Sequence, residues 1–239
     1  MAEKIKFTYF PLWAKGPAVA LALEHSGLDW EGANPPPKDE DGGGGWPAMK
    51  PTTPWYELPI AEVEGFGQVG HELAILNYIG RCCPAMAGTS QADFLISQQL
   101  MQEAEDIYQR LGKVQDTIAA KDKVPPEVLQ KFWAKPDPGS YASHNREFGV
   151  HVYLSLIEAF YKRCGGAGKF TSTGRTVGEC KLWTMLHALK MIQGDVLSDY
   201  EGVASFYEAF GADEKTRAVV ESGGRMPAPF KQYFVAPEG

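Results

Sequence analysis

Hydrophobic positions in the first third of the chain follow a strand, helix and strand order. Residues 4–10 are rich in β-branched and aromatic side chains, which is typical of a strand, and residues 11–16 predict a loop. Small apolar residues over 18–25, with Pro17 in the first turn, predict a helix, and residues 28–31 predict a second strand. This order favours a parallel strand pair joined by a right-handed crossover.

A second strand and helix pattern covers residues 58–81. An apolar strand over 58–63 begins beside Pro59, Glu64-Gly65 signals a turn, and apolar residues then recur at helical spacing. A proline at a strand start beside a loop favours the cis isomer, which only X–Pro bonds adopt at small cost. The start of this helix leaves backbone N–H groups and a positive dipole end free, so the stretch predicts a carboxylate or phosphate site.

The pattern changes after residue 81, and from residue 91 onward only helical spacing recurs. Apolar positions predict helices over 92–111, 127–134, 148–164, 182–192, 203–210 and 214–220. Thr176 and Glu179 form a capping-box pattern before one of them. We therefore predict an α/β domain over 1–81, a linker over 82–90 and an all-helical domain with a C-terminal coil tail over 91–239.

Residues 34–45, with the sequence NPPPKDEDGGGG, interrupt the first domain. Three prolines, a charge cluster and four glycines cannot form a packed element, so the segment is predicted to be a mobile surface loop. It precedes the candidate ligand contacts Trp46 and Lys50, a position compatible with a plain insertion or with a lid.

Composition narrows the class of partner. The 239 residues carry a net charge of −7 and have a pI of about 5.3, which argues against nucleic acid or an anionic membrane as the main partner. The four cysteines fit no zinc or redox motif, so no metal is expected. The chain has neither an apolar signal core nor a run of about 18 apolar residues that could span a membrane. We expect a cytoplasmic protein with reduced cysteines.

The first part of the chain resembles the glutathione-binding half of the glutathione transferases. The resemblance depends, in chain order, on Trp46, Lys50, the Leu58-Pro59 dipeptide and the helix that follows His71. The sigma-like class, which includes prostaglandin D synthases and S-crystallins, fits best. The likeness extends over nearly the whole chain. It implies an N-terminal thioredoxin-like domain, a C-terminal helical bundle, glutathione as co-substrate, a small hydrophobic electrophile as second substrate, and a homodimer.

Tyr9 ends the first predicted strand, where the resemblance implies a tyrosine that donates a hydrogen bond to the glutathione sulfur. A thiol with a pKa of about 8.5 is mostly protonated at neutral pH, and a donor that stabilises the thiolate lowers that pKa. From residue type alone, Tyr9 is an ordinary strand aromatic. Lys15 stands where the family carries a basic residue near glutathione, and it is equally compatible with a solvated loop lysine.

Trp46 and Lys50 stand where sigma-like proteins hold the glycyl carboxylate of glutathione. An indole N–H and an ammonium that converge on one carboxylate form a sensible anion site. The alternative is a tryptophan that covers the edge of the core beside a solvated lysine. Leu58, before Pro59, would pair its backbone with the cysteinyl part of glutathione as a strand edge does, and it can be a core leucine at the same time.

Three residues depart from the family's glutathione site. Glu57 stands where many members carry Gln or Asn, and His71-Glu72 replaces Gln-Ser or Glu-Ser. The missing serine normally takes the γ-glutamyl carboxylate together with the helix N-terminus. Glu72 places an acid there, which either repels that carboxylate or caps the helix favourably. His71 is either a compensating donor or a surface histidine.

The resemblance implies a detoxifying enzyme that conjugates the glutathione thiolate to small hydrophobic electrophiles, with Tyr9 as thiolate stabiliser. Isomerisation of a lipid-like substrate would use the same site. The alternative is a catalytically weak or inactive binding or structural subunit, because this fold is reused without chemistry and Glu57, His71 and Glu72 are atypical. A redox enzyme is disfavoured, since no cysteine lies at the end of the first strand or the start of the first helix.

Overall fold

Four strands form one mixed sheet in the first part of the chain, in the order β3-β1-β4-β5. The computed structural model describes residues 4–39, 44–135 and 149–235. The strands of this sheet are β1 (Ile5–Thr8), β3 (Trp30–Ala33), β4 (Ile60–Val63) and β5 (Gly67–Gly70). Because β1 pairs in parallel with β3 and antiparallel with β4, it lies inside the sheet. The residue that follows β1 therefore lies between the end of β3 and the start of β4.

The helix between β1 and β3, α1 (Gly16–Ser26), confirms the predicted strand, helix and strand unit. Its residues 16–23 are all buried, so it has no polar face over most of its length. It packs against α3 (Glu72–Cys82) on one side and α8 (Val177–Ile192) on the other. The small side chains seen in the sequence therefore reflect a helix held between the sheet domain and the later helices.

Helices make up most of the rest of the described chain. They are α4 (Pro84–Ala87), α5 (Gln91–Val114), α6 (Pro126–Trp133), α7 (Val150–Arg163), α8, α9 (Glu201–Gly211) and α10 (Glu214–Ser222). The helices α5 and α8 pack closely, because Gly178 lets the two backbones meet and its N–H donates to Ser97 Oγ at 3.1 Å. None of the described helices is both long enough and apolar enough to cross a bilayer.

The predicted capping box at the start of α8 is confirmed. Thr176 Oγ1 accepts from the Glu179 backbone N–H at 3.4 Å, and Glu179 Oε2 accepts from the Thr176 N–H at 3.0 Å. The other oxygen of Glu179 accepts from the backbone N–H groups of Phe170 and Thr171. A single buried carboxylate therefore both starts α8 and fixes the loop before it.

Two segments predicted as loop and coil pair with each other. Strand β2 (Leu12–Trp13) lies in the predicted loop and pairs in parallel with β6 (Lys231–Gln232) in the predicted coil tail. The Trp13 indole N–H donates to the Thr184 carbonyl at 3.0 Å, which fixes this loop on α8. Strands of two residues show no alternation, so only tertiary contacts could reveal them.

Two smaller differences concern local boundaries. The second strand begins at Trp30 rather than residue 28, because the Leu28 N–H is taken by Ser26 Oγ at 3.2 Å in the turn after α1. The predicted linker contains the short helix α4, which Pro84 can begin because its missing N–H is not needed there. Residues 40–43 of the predicted insert and residue 148 of the predicted helix 148–164 lie outside the described residues.

Candidate functional site

Tyr9 follows β1 directly, and its side chain is only 5% exposed. The ring lies parallel to that of Phe7 at 6.4 Å and presses on Gly16. The Lys15 backbone N–H donates to the Tyr9 hydroxyl oxygen at 3.0 Å. Burial raises the pKa of Tyr9, and the N–H groups of Lys15 and Gly16 only partly oppose this. The hydroxyl therefore keeps its proton, while the amide occupies one of its acceptor positions and leaves that proton free to be donated.

The Lys15 ammonium contacts side chains of α5. Its Nζ lies 2.8 Å from Glu105 Oε1 and 4.9 Å from the centre of the Tyr108 ring. The side chain is part-buried. Sequence analysis expected Lys15 near a ligand carboxylate, and in this structure a protein carboxylate already holds it.

Glu72, the first residue of α3, is turned inward and is 2% exposed. Its Oε2 lies 2.5 Å from Nζ of Lys181 on α8, and the same ammonium lies 3.0 Å from Glu105 Oε2. Burial raises the pKa of the Glu72 carboxyl, and the charge of Lys181 opposes that rise. Its other oxygen, Oε1, has no hydrogen-bond partner among the described residues, so the main partner of the side chain is an ammonium from a distant helix.

Four side chains thus form one group, which we name the charge quartet: Lys15, Glu72, Glu105 and Lys181. Burial would raise the pKa of Glu105, but Lys181 and the hydrogen bond from Lys15 outweigh it and lower that pKa to about 2. The quartet has two positive and two negative charges and joins the start of α1 to three helices: α3, α5 and α8.

Trp46 lies on α2 (Gly45–Met49), a short helix in a segment that the sequence analysis treats as loop. Its ring meets Phe10 edge-on at 5.4 Å, and Phe10 meets Tyr9 edge-on at 6.0 Å. Lys50 opens the following 3₁₀ turn (Lys50–Thr52), and its side chain is exposed. Trp46 is therefore linked to the Tyr9 region through one aromatic ring, and Lys50 extends from the adjoining surface.

The Leu58–Pro59 peptide bond is cis, which confirms the expectation from the sequence. Pro59 is buried, Leu58 is half-buried against the core, and Glu57 is exposed. The dipeptide directly precedes β4, so the Leu58 backbone lies just before the start of that strand, next to the end of β1.

His71 has φ of +65°, which is uncommon for a residue other than glycine. It directly precedes α3, and its ring lies 5.4 Å from that of Trp55, a side chain that is 60% exposed. Positive φ at such a residue costs about 1–3 kcal/mol, and strain of this kind clusters at active and ligand-binding sites. The geometry brings His71 and Trp55 together on the surface, apart from the buried Glu72.

Comparison with known proteins places the chain among its relatives. No protein-family model matches it. Over 76 residues it is 38% identical to a probable glutathione S-transferase 7 of Caenorhabditis elegans, which is 32% of this chain and only 34% of that relative. Over 146 residues it is 30% identical to glutathione S-transferase 1 of Ascaris suum, covering 54% of this chain and 67% of the relative. The chain belongs to the glutathione S-transferase family.

The solved structures agree with this family assignment at the level of fold. A prostaglandin synthase D of Nilaparvata lugens superposes with a TM-score of 0.68 at 19% identity, over 91% of this chain and 97% of that chain. The predicted glutathione S-transferase fold, a thioredoxin-like domain followed by a helical domain, is thereby confirmed. At this identity the likeness carries the fold alone.

Three residues of this region are absent from the site predicted from the sequence: Glu105, Lys181 and Trp55. Lys181 had a usable signal, because it interrupts the apolar run of α8 at a position where both neighbours are buried. Glu105 had none, since a glutamate among polar residues of a long helix is ordinary. Within the described ranges, no cluster of three histidine, cysteine or acidic side chains offers a metal site.

Proposed function

We propose that this chain is a glutathione transferase that joins reduced glutathione to small hydrophobic electrophiles. The bound thiol loses its proton to solvent, and the thiolate sulfur attacks the electrophilic carbon. With an aryl halide, a sulfur–carbon bond forms and halide leaves with the electron pair of the broken bond. One observation carries the proposal: the Lys15 N–H donates to the buried Tyr9 hydroxyl, which leaves the hydroxyl proton for the thiolate.

The remaining glutathione contacts are proposed on the family pattern and are compatible with the observed positions. The Trp46 indole and the Lys50 ammonium would hold the glycyl carboxylate. The Leu58 backbone beside Pro59 would pair with the cysteinyl part as an added strand does. His71 would donate to the γ-glutamyl carboxylate, and its positive φ supports a functional role at that point.

The ion pair between Glu72 and Lys181 weakens one objection to glutathione binding. A free carboxylate at the start of α3 would repel a ligand carboxylate by a few kcal/mol at an effective dielectric of about 20. Lys181 Nζ, 2.5 Å from Glu72 Oε2, opposes that field. Lys15 and Glu57 stay candidate contacts, with Lys15 available only if it leaves Glu105 or serves both carboxylates.

We also propose the finer assignments that the resemblance implies. The sigma-like class rests on Tyr9, Trp46 and Lys50, and the homodimer on the habit of the family. The division into domains 1–81 and 91–239 rests on the change from sheet to helices. A cytoplasmic location is compatible with the four free cysteines.

A binding or structural subunit without catalysis is the second candidate. One observation favours it: Lys15 forms an ion pair with Glu105, and Glu72 forms one with Lys181. An enzyme whose acidic and basic residues pair internally has fewer groups left for the ligand.

Calorimetric titration with reduced glutathione, combined with conjugation of an aryl halide, separates the two candidates. The enzyme should bind glutathione at micromolar to millimolar concentration, and Tyr9→Phe should lower kcat by about 100-fold, as loss of a single oxyanion donor does.

Tyr161→Phe is the matched control, because Tyr161 is also buried and its hydroxyl also accepts a backbone N–H, from Gly168, far from Tyr9 in the sequence. It should leave kcat unchanged. Glutathione binding without turnover, or turnover that Tyr9→Phe leaves intact, would refute the proposed role of Tyr9. Failure to bind glutathione would favour the subunit without catalysis.

A further inference from the structure

We propose that Lys181 is a positioning residue of the glutathione site, which holds the charge quartet together and so sets how readily bound glutathione ionises. This inference rests on the proposed function. It concerns a residue that lies on α8, more than 100 positions from either Glu72 or Tyr9 along the chain.

The contacts of Lys181 reach Tyr9 in three steps. Lys181 Nζ lies 3.0 Å from Glu105 Oε2, and Glu105 Oε1 lies 2.8 Å from Lys15 Nζ. The backbone N–H of the same Lys15 then donates to the Tyr9 hydroxyl at 3.0 Å. The residue that presents the amide to Tyr9 is therefore anchored through Glu105 to Lys181.

Lys181 also balances the acid at the start of α3. Both Glu72 and Lys181 are 2% exposed, so water screens neither charge well. Burial has the largest effect on the pKa of Tyr9, and the hydrogen bond from the Lys15 amide, which lowers it, has the second largest. The negative charge of Glu72 has the third largest effect and raises that pKa. The field of Glu72 therefore reaches the hydroxyl that would face the thiol, and Lys181 opposes that field.

Stability alone does not account for the quartet. A buried ion pair can often be replaced by apolar residues of similar volume without loss of stability, because the cost of removing two charges from water offsets their attraction. The Tyr108 ring lies near both ammonium groups, 4.9 Å from Lys15 Nζ and 5.3 Å from Lys181 Nζ, and shares their surroundings. Gln109 further fixes Glu105 by donating to its Oε1 at 2.7 Å. These added contacts indicate an arrangement that holds orientation.

Two substitutions that each remove one charge give opposite predictions. Lys181→Gln leaves Glu72 without its ammonium, and an unbalanced negative charge raises the pKa of a nearby thiol. Glu72→Gln leaves the quartet with one excess positive charge, since Lys181 keeps only Glu105, and lowers the pKa of the thiol. We expect the pKa of the bound glutathione thiol to rise by about one unit in Lys181→Gln and to fall in Glu72→Gln, one unit being tenfold in the ionisation constant.

The ultraviolet absorbance of the thiolate, followed against pH with glutathione bound, measures this pKa directly. Lys181→Arg keeps the charge and should restore the value of the unaltered protein. Lys190→Gln makes the same change near the end of the same helix, where the ammonium donates to the Gly194 carbonyl and lies 5.3 Å from the centre of the Tyr207 ring, and it should change nothing. General damage to the fold would weaken both Lys181→Gln and Glu72→Gln in the same direction, so opposite shifts identify positioning.

Equal thiol pKa values in the unaltered protein and in either folded variant would overturn the inference, as would shifts of the same sign. If only one variant folds, as judged by its denaturation midpoint, that variant alone decides. If the unaltered protein binds no glutathione, the proposed function and this inference fail together. If it binds and ionises glutathione while Lys181→Gln has no effect, only this inference fails.

Discussion

Replacing Gly16 with alanine tests whether Tyr9 depends on close packing at the start of α1. A Cβ at Gly16 would lie 2.5 Å from Tyr9 Cγ and 2.6 Å from Cε1, and nearer still to Cδ1. Ordinary carbon contacts begin near 3.4 Å, so the ring must move by more than about 1 Å. Phe7 and Phe10 lie against the ring from other directions, which leaves it little room.

The expected cost follows from two opposing effects. Overpacking a core site costs about 1–3 kcal/mol. Alanine gains up to about 1 kcal/mol over glycine inside a helix, and less at a first residue such as Gly16. Gly16→Ala should therefore lower the free energy of unfolding by about 1–2 kcal/mol. A displacement of about 1 Å at the thiolate donor should also lower kcat by about 100-fold.

Gly112→Ala is the matched control. Gly112 is exposed on α5, and an added Cβ there meets nothing within 4 Å. This variant should gain about 0.5–1 kcal/mol and keep full activity. Urea midpoints and aryl halide turnover measure both quantities. The packing argument would be wrong if Gly16→Ala matched Gly112→Ala in stability and in kcat.

Two further predictions concern α8. Gly178→Ala would bring a Cβ within 2.7 Å of the Ser97 carbonyl carbon, which is backbone and cannot rotate away. Thermal unfolding should show that the free energy of unfolding falls by about 3 kcal/mol or more. A fall smaller than that of Gly16→Ala would contradict this prediction. Burial lowers the pKa of His187 from 6.5 to about 4, so its contribution to stability is fully present above pH 6.5 and is lost as the pH falls through about 4. His187→Gln should flatten the fall in urea midpoint between these values, and parallel falls in both proteins would refute the assignment.

Local patterns predicted the parts of this fold whose causes are local. The capping box at Thr176 and Glu179 and the helical spacing of α3 each lie within a few residues, so the sequence alone reveals them. The pairing of Leu12 with Lys231 has no such signal, because neither segment shows a strand pattern. Elements that form only through contacts with distant residues cannot be predicted from local sequence patterns.

The residues of the candidate site also differ in how far the sequence predicts them. Tyr9, Trp46 and Lys50 were proposed from resemblance to a family, while composition and spacing alone left each with an ordinary alternative. The orientation of Glu72 was not predictable, because it depends on a lysine 109 positions away. Its inward turn adds a buried ion pair with Lys181 to the two alternatives considered from sequence, repulsion of a ligand or capping of α3.

The pairing of β2 with β6 has a consequence for synthesis. Translation at about 5–20 residues per second separates Leu12 from Lys231 by roughly 11–44 s. Throughout that interval the nascent N-terminal domain lacks the strand that closes over its Trp13 loop. A ribosome-bound chain stopped before residue 231 should therefore be cleaved by protease at this loop faster than a chain that includes β6. The N-terminal domain, although synthesised first, gains its last strand pairing only near the end of translation.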